Sequence, residues 1–153
     1  MTIRFAKKED KKQVLQLLDE LLTDISCVLG TKPTHQPVVK AGNEIFDDVL
    51  KRNDFKIFVA EDNKKILGIA TVFLYPVVRR GHYRAQIEEL IVNKSSRGKG
   101  VGSKLLQAVL LYCKKQGIPT MRLNSGLKLK NAHRFYEKHG GKVTEKMFRF
   151  DIK

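Results

Sequence analysis

Cysteine is nearly absent from this 153-residue chain, which has only Cys27 and Cys113. Neither sits in a CxxC pair or near a histidine at ligand spacing, which argues against a disulfide scaffold and a structural zinc site, so no metal is expected. Both thiols are expected in the core. Long apolar runs are missing too. The longest, Ile66 to Val78, is interrupted by Gly68 and Pro76 and falls well short of the roughly 20 residues that span a bilayer. The first residues, Met1 to Ala6, run into charged sequence without the apolar stretch of a signal peptide, so the expectation is a cytoplasmic protein with no membrane partner. Acid is absent from Lys94 to Tyr136, a stretch that carries ten basic residues.

Apolar residues make up 42% of the chain and charged residues 30%, a balance that supports a packed core and excludes the disordered class. The length predicts a single domain over residues 1–153, since a chain of this size buries about 70% of its unfolded surface. With 30 Lys and Arg against 16 Asp and Glu, the net charge is +14, which calls for a polyanionic partner or an anionic ligand. Eleven of the 16 acids lie between Glu9 and Asp62, so the positive field belongs to the second half.

Hydrophobic periodicity gives the order β-α-α-β-β-β-α-β-α-β. Thr2 to Ala6 reads as a strand. A helix follows, with Asp10 and Gln13 as a capping box and a stripe of Val14, Leu17, Leu18, Leu21, Leu22, Ile25, Val28 and Leu29 ending at Gly30. Thr31 to Lys40 reads as a loop, and Glu44 to Arg52 as a short helix with Ile45, Val49 and Phe46 as its candidate inward residues. Phe55 to Ala60 and Ile66 to Val78 form a hairpin, and Tyr83 to Asn93 is the next strand. Val101 to Gln116 is helical, Thr120 to Asn124 a strand, Lys130 to His139 a helix, and Lys142 to Ile152 a last strand.

The sharpest local signal is Arg97-Gly98-Lys99-Gly100-Val101-Gly102-Ser103, placed where a strand ends and a helix begins. Glycines allow close backbone approach, and the amides of a first helical turn point at an anion along the positive end of the helix dipole. A pyrophosphate fits such a turn, although the spacing is neither a Walker A loop nor GxGxxG, and a plain strand-to-helix turn is the competing reading. Upstream, Glu88 and Glu89 sit among Ile87, Leu90, Ile91 and Val92. Strand alternation predicts that one carboxylate faces a cleft and the other solvent, and a Glu among apolar neighbours can act as a general base. In the helix from Lys130, Phe135 is expected in the core, whereas Tyr136 is either core or a proton donor. His133 and His139 read as surface or helix-end residues.

Together, Gln86 to Val92, Arg97 to Leu106 and Ala132 to Gly140 resemble the GNAT superfamily of acetyl-CoA-dependent N-acetyltransferases. The element order matches over essentially the whole chain and implies a GNAT-like α/β fold: a central mixed, mostly antiparallel sheet splayed between strands ending near Val92 and Asn124. The resemblance implies acetyl-CoA as donor and a primary amine as acceptor. It implies that the amides of the Arg97 to Ser103 turn (Gly98, Lys99, Gly100, Val101, Gly102) take the pyrophosphate and that the strand at Ile91 and Val92 takes the pantetheine arm. It further implies that Asn131 and Arg134 serve the cofactor, that Tyr136 protonates the leaving thiolate and that Glu89, or else Glu88, handles the amine proton. Two positions depart from the family pattern: Leu129 stands where many relatives have Asn, and Gly140-Gly141 replaces Gly-Phe. The segment Ser125 to Tyr136 and the ending Met147-Phe148-Arg149-Phe150 are similar to the aminoalkylphosphonate N-acetyltransferase branch.

Cations from Arg79 to Arg84 precede the two glutamates, which predicts a preference for anionic amines over polyamines, with a solvent-facing turn as the alternative. Other classes stay open: a protein or peptide N-acetyltransferase, a GNAT fold without catalysis, a basic nucleic-acid-binding module and, in quaternary structure, a homodimer. The nucleic-acid reading lacks an aromatic platform and any helix-turn-helix, RRM or KH signature.

Overall fold

The computed structural model of the protein describes residues 1–31 and 38–152, and only the backbone of residues 38–41. The expected loop at Thr31 to Lys40 therefore lies mostly outside the described residues, and its last three residues open a helix. The elements are β1 (Thr2–Phe5), α1 (Lys11–Leu29), α2 (Val38–Lys51), β2 (Phe55–Asp62), β3 (Lys65–Val77), β4 (His82–Val92), α3 (Val101–Lys115), β5 (Met121–Leu123) and α4 (Lys130–Lys138). They divide into a unit of residues 1–123 and a unit from Asn124 onward.

In the first unit the strands form one sheet in the order β1-β2-β3-β4-β5. All neighbours are antiparallel except β4 and β5, which run parallel. The mixed, mostly antiparallel sheet expected from the sequence is thus present. Cross-strand partners share a face, so the register divides the sheet's residues into two sets. Ile57, Val59, Ile69 and Ile91 pack with Val14 and Leu17 of α1 and Phe46 of α2. On the other face Phe58 packs edge-on with Phe5 and Tyr112, and α3 buries Val101, Leu105, Leu106, Val109 and Cys113. Their 4-, 5-, 8- and 12-residue spacing makes one apolar stripe.

The start of α1 departs from the expected capping box. Asp10 is buried and turns back, accepting from the Lys7 backbone N–H at 2.7 Å and from both ends of the Arg4 guanidinium at 2.6 and 2.9 Å. Gln13 instead clasps the β2–β3 turn, accepting from Ile66 N–H at 2.9 Å. The Arg4 and Lys7 partners win because they satisfy a buried carboxylate that a cap on α1 alone would leave half-paired.

Burial corrects several side chains. Cys113 is buried as expected, but Cys27 is exposed, together with Val28 and Leu29 in the last turn of α1. In α2 it is Phe46 that enters the core, while Ile45 points outward. One position along a helix turns a side chain by 100°, so adjacent apolar residues compete for the same inward slot.

The second unit holds α4 and the segment after it. The helix ends with Gly140 N–H bonded to Glu137 O at 3.0 Å and Gly141 N–H to Tyr136 O at 2.9 Å. This is a Schellman cap, and it accounts for the paired glycines. Phe135 is half-buried rather than core, and packs against Tyr136 and His139. The last strand expected over Lys142 to Ile152 is not formed: the chain there is irregular and exposed, including Phe148, Phe150 and Ile152. Alternation is present in the sequence, but it yields a strand only where a sheet edge pairs with it.

Candidate active site

The β3–β4 pairing carries a bulge. Ala70 faces Leu90 and Val72 faces Ile87, so Thr71 stands opposite both Glu88 and Glu89. A bulge of this kind suspends strict alternation, and both carboxylates fall on the face that α1 and α2 cover. The expectation of opposite faces is corrected, although the two environments still differ. Glu88 is exposed and accepts from Gln86 Nε2 at 3.2 Å. Glu89 is half-buried; its backbone N–H donates to Thr71 Oγ1 at 3.0 Å, and the same hydroxyl donates to its carboxylate. Burial pushes the Glu89 carboxyl up to about 7, with a further push from the charge on Glu88. A carboxyl at that value is poised to accept a proton near neutral pH. Thr71 was invisible to motif reading, because its role depends on strand register.

Beyond the bulge β4 loses its second neighbour. Pairing with β5 stops at Ile87 and Leu123, so among the described residues the edge of β4 from Glu88 to Val92 has no second strand beside it. Asn93 N–H bonds to Leu67 O of β3 at 2.8 Å, and alternation then turns the amide of Ile91 toward β3 and those of Leu90 and Val92 toward the open edge. An extended amide-bearing ligand could pair there as an added strand. Gly68 permits the close approach of β3 and β4 at this point: a Cβ on it would lie 2.7 Å from Ile91 O.

The glycine turn follows directly. Gly100 is the N-cap residue of α3 at φ 78°, and no side chain caps the helix. Gly98 has φ 75°, and a Cβ on either glycine would project into open space. The first-turn amides of Val101 and Gly102 make no hydrogen bond to a described residue, and Lys99 and Lys104 are exposed nearby in sequence. Orphan amides, a left-handed glycine turn and open space fit a pyrophosphate. The Arg97 side chain is committed elsewhere, donating through Nε to Val92 O at 2.9 Å and pairing with Asp24 of α1. Asp24 also holds Lys94 at 3.0 Å, so Arg97 ties the end of β4 to α1. A cavity of about 510 Å³ opens beside it, lined by Gln16, Asp19, Glu20, Thr23 and Lys94.

In the second unit, Asn131 and Arg134 are exposed on α4, and Tyr136 is half-buried. The Tyr136 hydroxyl has no hydrogen-bond partner among the described residues, and burial raises its pKa, so it stays protonated at neutral pH. No group of three or more His, Cys, Asp or Glu side chains that could hold a metal ion occurs among the described residues, and no described helix is long and apolar enough to cross a membrane.

Comparison with known proteins decides the family. The acetyltransferase (GNAT) family model matches residues 16–141. The chain belongs to that family. It is 30% identical over 98 residues to the glucosamine 6-phosphate N-acetyltransferase of Trypanosoma brucei brucei, covering 63% of this chain and 65% of that protein. It is 28% identical over 88 residues to the aminoalkylphosphonate N-acetyltransferase of Salmonella typhimurium, covering 58% of this chain and 56% of that one. The match thus spans less than two thirds of either relative. A solved structure from Bacillus halodurans, described as a transcriptional regulator, superposes with a TM-score of 0.84 over 99% of both chains at 25% identity. The GNAT fold and membership of a family of acetyl-transferring enzymes stand on these matches.

Proposed function

We propose that residues 1–153 act as one N-acetyltransferase domain that moves an acetyl group from acetyl-CoA to the primary amine of a small, anionic molecule in the cytoplasm, where its free thiols stay reduced. The observation that carries this reading is the half-buried Glu89, held by Thr71 on the bulge beside the open edge of β4. When bound, acetyl-CoA supplies the acetyl group as a thioester. The orphan amides of the glycine turn hold its pyrophosphate, and the open-edge amides of Leu90 and Val92 align the pantetheine arm, so Leu90 takes the place first expected of Ile91.

An alkylammonium with a pKa near about 10 cannot attack until it loses a proton. Glu89 accepts that proton, directly or through water; burial, with a further push from the charge on Glu88, holds its carboxyl near neutrality. The nitrogen–carbon bond then forms as the carbon–sulfur bond breaks. Tyr136 donates its phenolic proton to the departing sulfur. The names of the two relatives, one acting on a sugar phosphate amine and the other on an aminoalkylphosphonate, support an anionic acceptor.

The experiment is a screen of amines with a free-thiol readout, run beside thermal shift with acetyl-CoA, which raises Tm if it binds the native state alone. Stoichiometric cofactor binding with thiol release from at least one amine is the expected result. The second reading, a basic nucleic-acid module, draws on the +14 charge and the Bacillus halodurans neighbour. Duplex binding with a steep salt slope and no cofactor binding would select it instead.

A further inference from the structure

The Arg79 to Arg84 cluster divides sharply in the structure. Arg79 and Arg80 stand exposed on the turn between β3 and β4. Arg84, within β4, is only 4% exposed. Its Nε–H donates to Thr120 Oγ1 at 3.3 Å, and no carboxylate or carbonyl among the described residues meets its other four N–H donors. The remaining arginines with close acid partners differ in this respect: Arg4, Arg52, Arg97 and Arg149 each hold a carboxylate. A buried guanidinium is ordinarily paired, because desolvating it without a counter-charge is costly.

Its placement is also specific. Arg84 faces Tyr75 and Gln86 faces Phe73 across the β3–β4 ladder. Tyr75, Phe73 and Thr71 alternate along one face of β3, so Arg84, Gln86 and Glu89 form a row on the same face of the sheet. We propose that Arg84 is the specificity-determining residue of the acceptor site, its free N–H fork taking the phosphate, phosphonate or carboxylate of the amine substrate. This rests on the N-acetyltransferase reading above and narrows it. Five strand positions separate Arg84 from Glu89, roughly 15 Å between Cα atoms before the side chains lean together. The acceptor must therefore carry its anion several bonds from its nitrogen. A phosphorylated aminosugar meets that requirement, and aminomethylphosphonate does not.

The test uses the full chain saturated with coenzyme A, with glucosamine 6-phosphate, glucosamine, 3-aminopropylphosphonate and aminomethylphosphonate as probes. Calorimetric Kd is measured alongside kcat and KM with acetyl-CoA. Wild type should bind at least one of the two longer anions about tenfold to a hundredfold more tightly than glucosamine, as befits a charge-assisted bidentate contact. Arg84→Gln should erase that margin through KM, Arg84→Lys should keep part of it, and acetyl-CoA affinity should hold in both. Arg84→Met should melt at or above the wild-type temperature, because it removes an uncompensated buried cation. A margin unchanged in Arg84→Gln, no anion binding by wild type, a preference for aminomethylphosphonate, or a large loss of Tm in Arg84→Met would each overturn the proposal. Acetyl transfer to neutral amines alone would end this inference, and the anionic acceptor with it, and leave the N-acetyltransferase activity standing. Anion binding through Arg84 without transfer to any amine would do the reverse.

Discussion

Thr71 grips Glu89 from two sides: its hydroxyl oxygen accepts the Glu89 backbone N–H at 3.0 Å and its proton goes to the Glu89 carboxylate. Thr71, a residue only 3% exposed, thereby fixes both the bulge and the rotamer of the carboxylate it presents. With the Glu89 carboxyl at about 7, kcat/KM should fall on the acid side of neutrality, where the base is protonated. Glu89→Gln should lose most of the activity and flatten that limb. Thr71→Val removes a donor to the charged form, so the limb should move to higher pH by roughly one unit, and Thr71→Ser should restore it. A limb that stays in Glu89→Gln and vanishes in Glu88→Gln would transfer the role to Glu88.

The same burial makes a stability prediction independent of turnover. The folded-state pKa of Glu89 lies above its ordinary value of 4.5, at about 7, so the unfolded chain gives up this proton more readily than the folded one. Its contribution to stability is complete below about pH 4.5 and is lost as pH rises through about 7, a swing of about 3 kcal/mol. Glu89→Gln cannot ionise and should escape that loss. Urea melts of both proteins at pH 5 and pH 8 check this: the variant should gain on wild type between the two pH values, and a constant difference would mean that Glu89 is solvated in the folded protein.

At the glycine turn, conformation and charge can be separated. Gly100 sits at φ 78° with no atom within 4 Å of a would-be Cβ, so Gly100→Ala should cost about 1 kcal/mol of backbone strain without filling a packed site. Gly100→Asp adds a carboxylate beside amides assigned to a pyrophosphate. It should weaken acetyl-CoA binding at least tenfold beyond the alanine variant, read by calorimetry. Equal affinity in the two variants would remove the pyrophosphate from this turn.

Much of this arrangement was legible in the sequence. The strand Gln86 to Val92, the turn Arg97 to Ser103 and the helix from Lys130 are local patterns, and each forms where its own residues dictate. What escaped reading was non-local. The bulge that turns Glu88 and Glu89 to one face is set by register against Thr71, and no pattern within β4 announces it. Arg84 looks like its exposed neighbours Arg79 and Arg80 until tertiary packing buries it. The apolar alternation at Phe148, Phe150 and Ile152 reads as a strand, yet strand formation depends on an edge that lies outside those residues.

Gly68 tests how tightly the end of β4 must be held. Its absent side chain leaves room for Ile91 O, which would lie 2.7 Å from a Cβ, with Leu105 Cδ1 at 3.1 Å and Val92 Cα at 3.3 Å. The leucine can rotate, but the carbonyl and the α-carbon belong to a strand tied by hydrogen bonds to β3, so relief requires β4 itself to move. Gly68→Ala should therefore cost about 1–3 kcal/mol, as overpacking does. It should also displace the Leu90 and Val92 amides enough to weaken acetyl-CoA binding severalfold. Gly126→Ala is the control, since its Cβ would meet only the Leu129 side chain, at an ordinary 3.5 Å to Cδ1 and 3.7 Å to Cγ. Thermal melts and amide chemical shifts from Leu90 to Asn93 read both effects. Wild-type stability with unmoved amides in Gly68→Ala would show that β4 has slack at this point, and the open edge would then lose its claim to be a rigid rail for the cofactor arm.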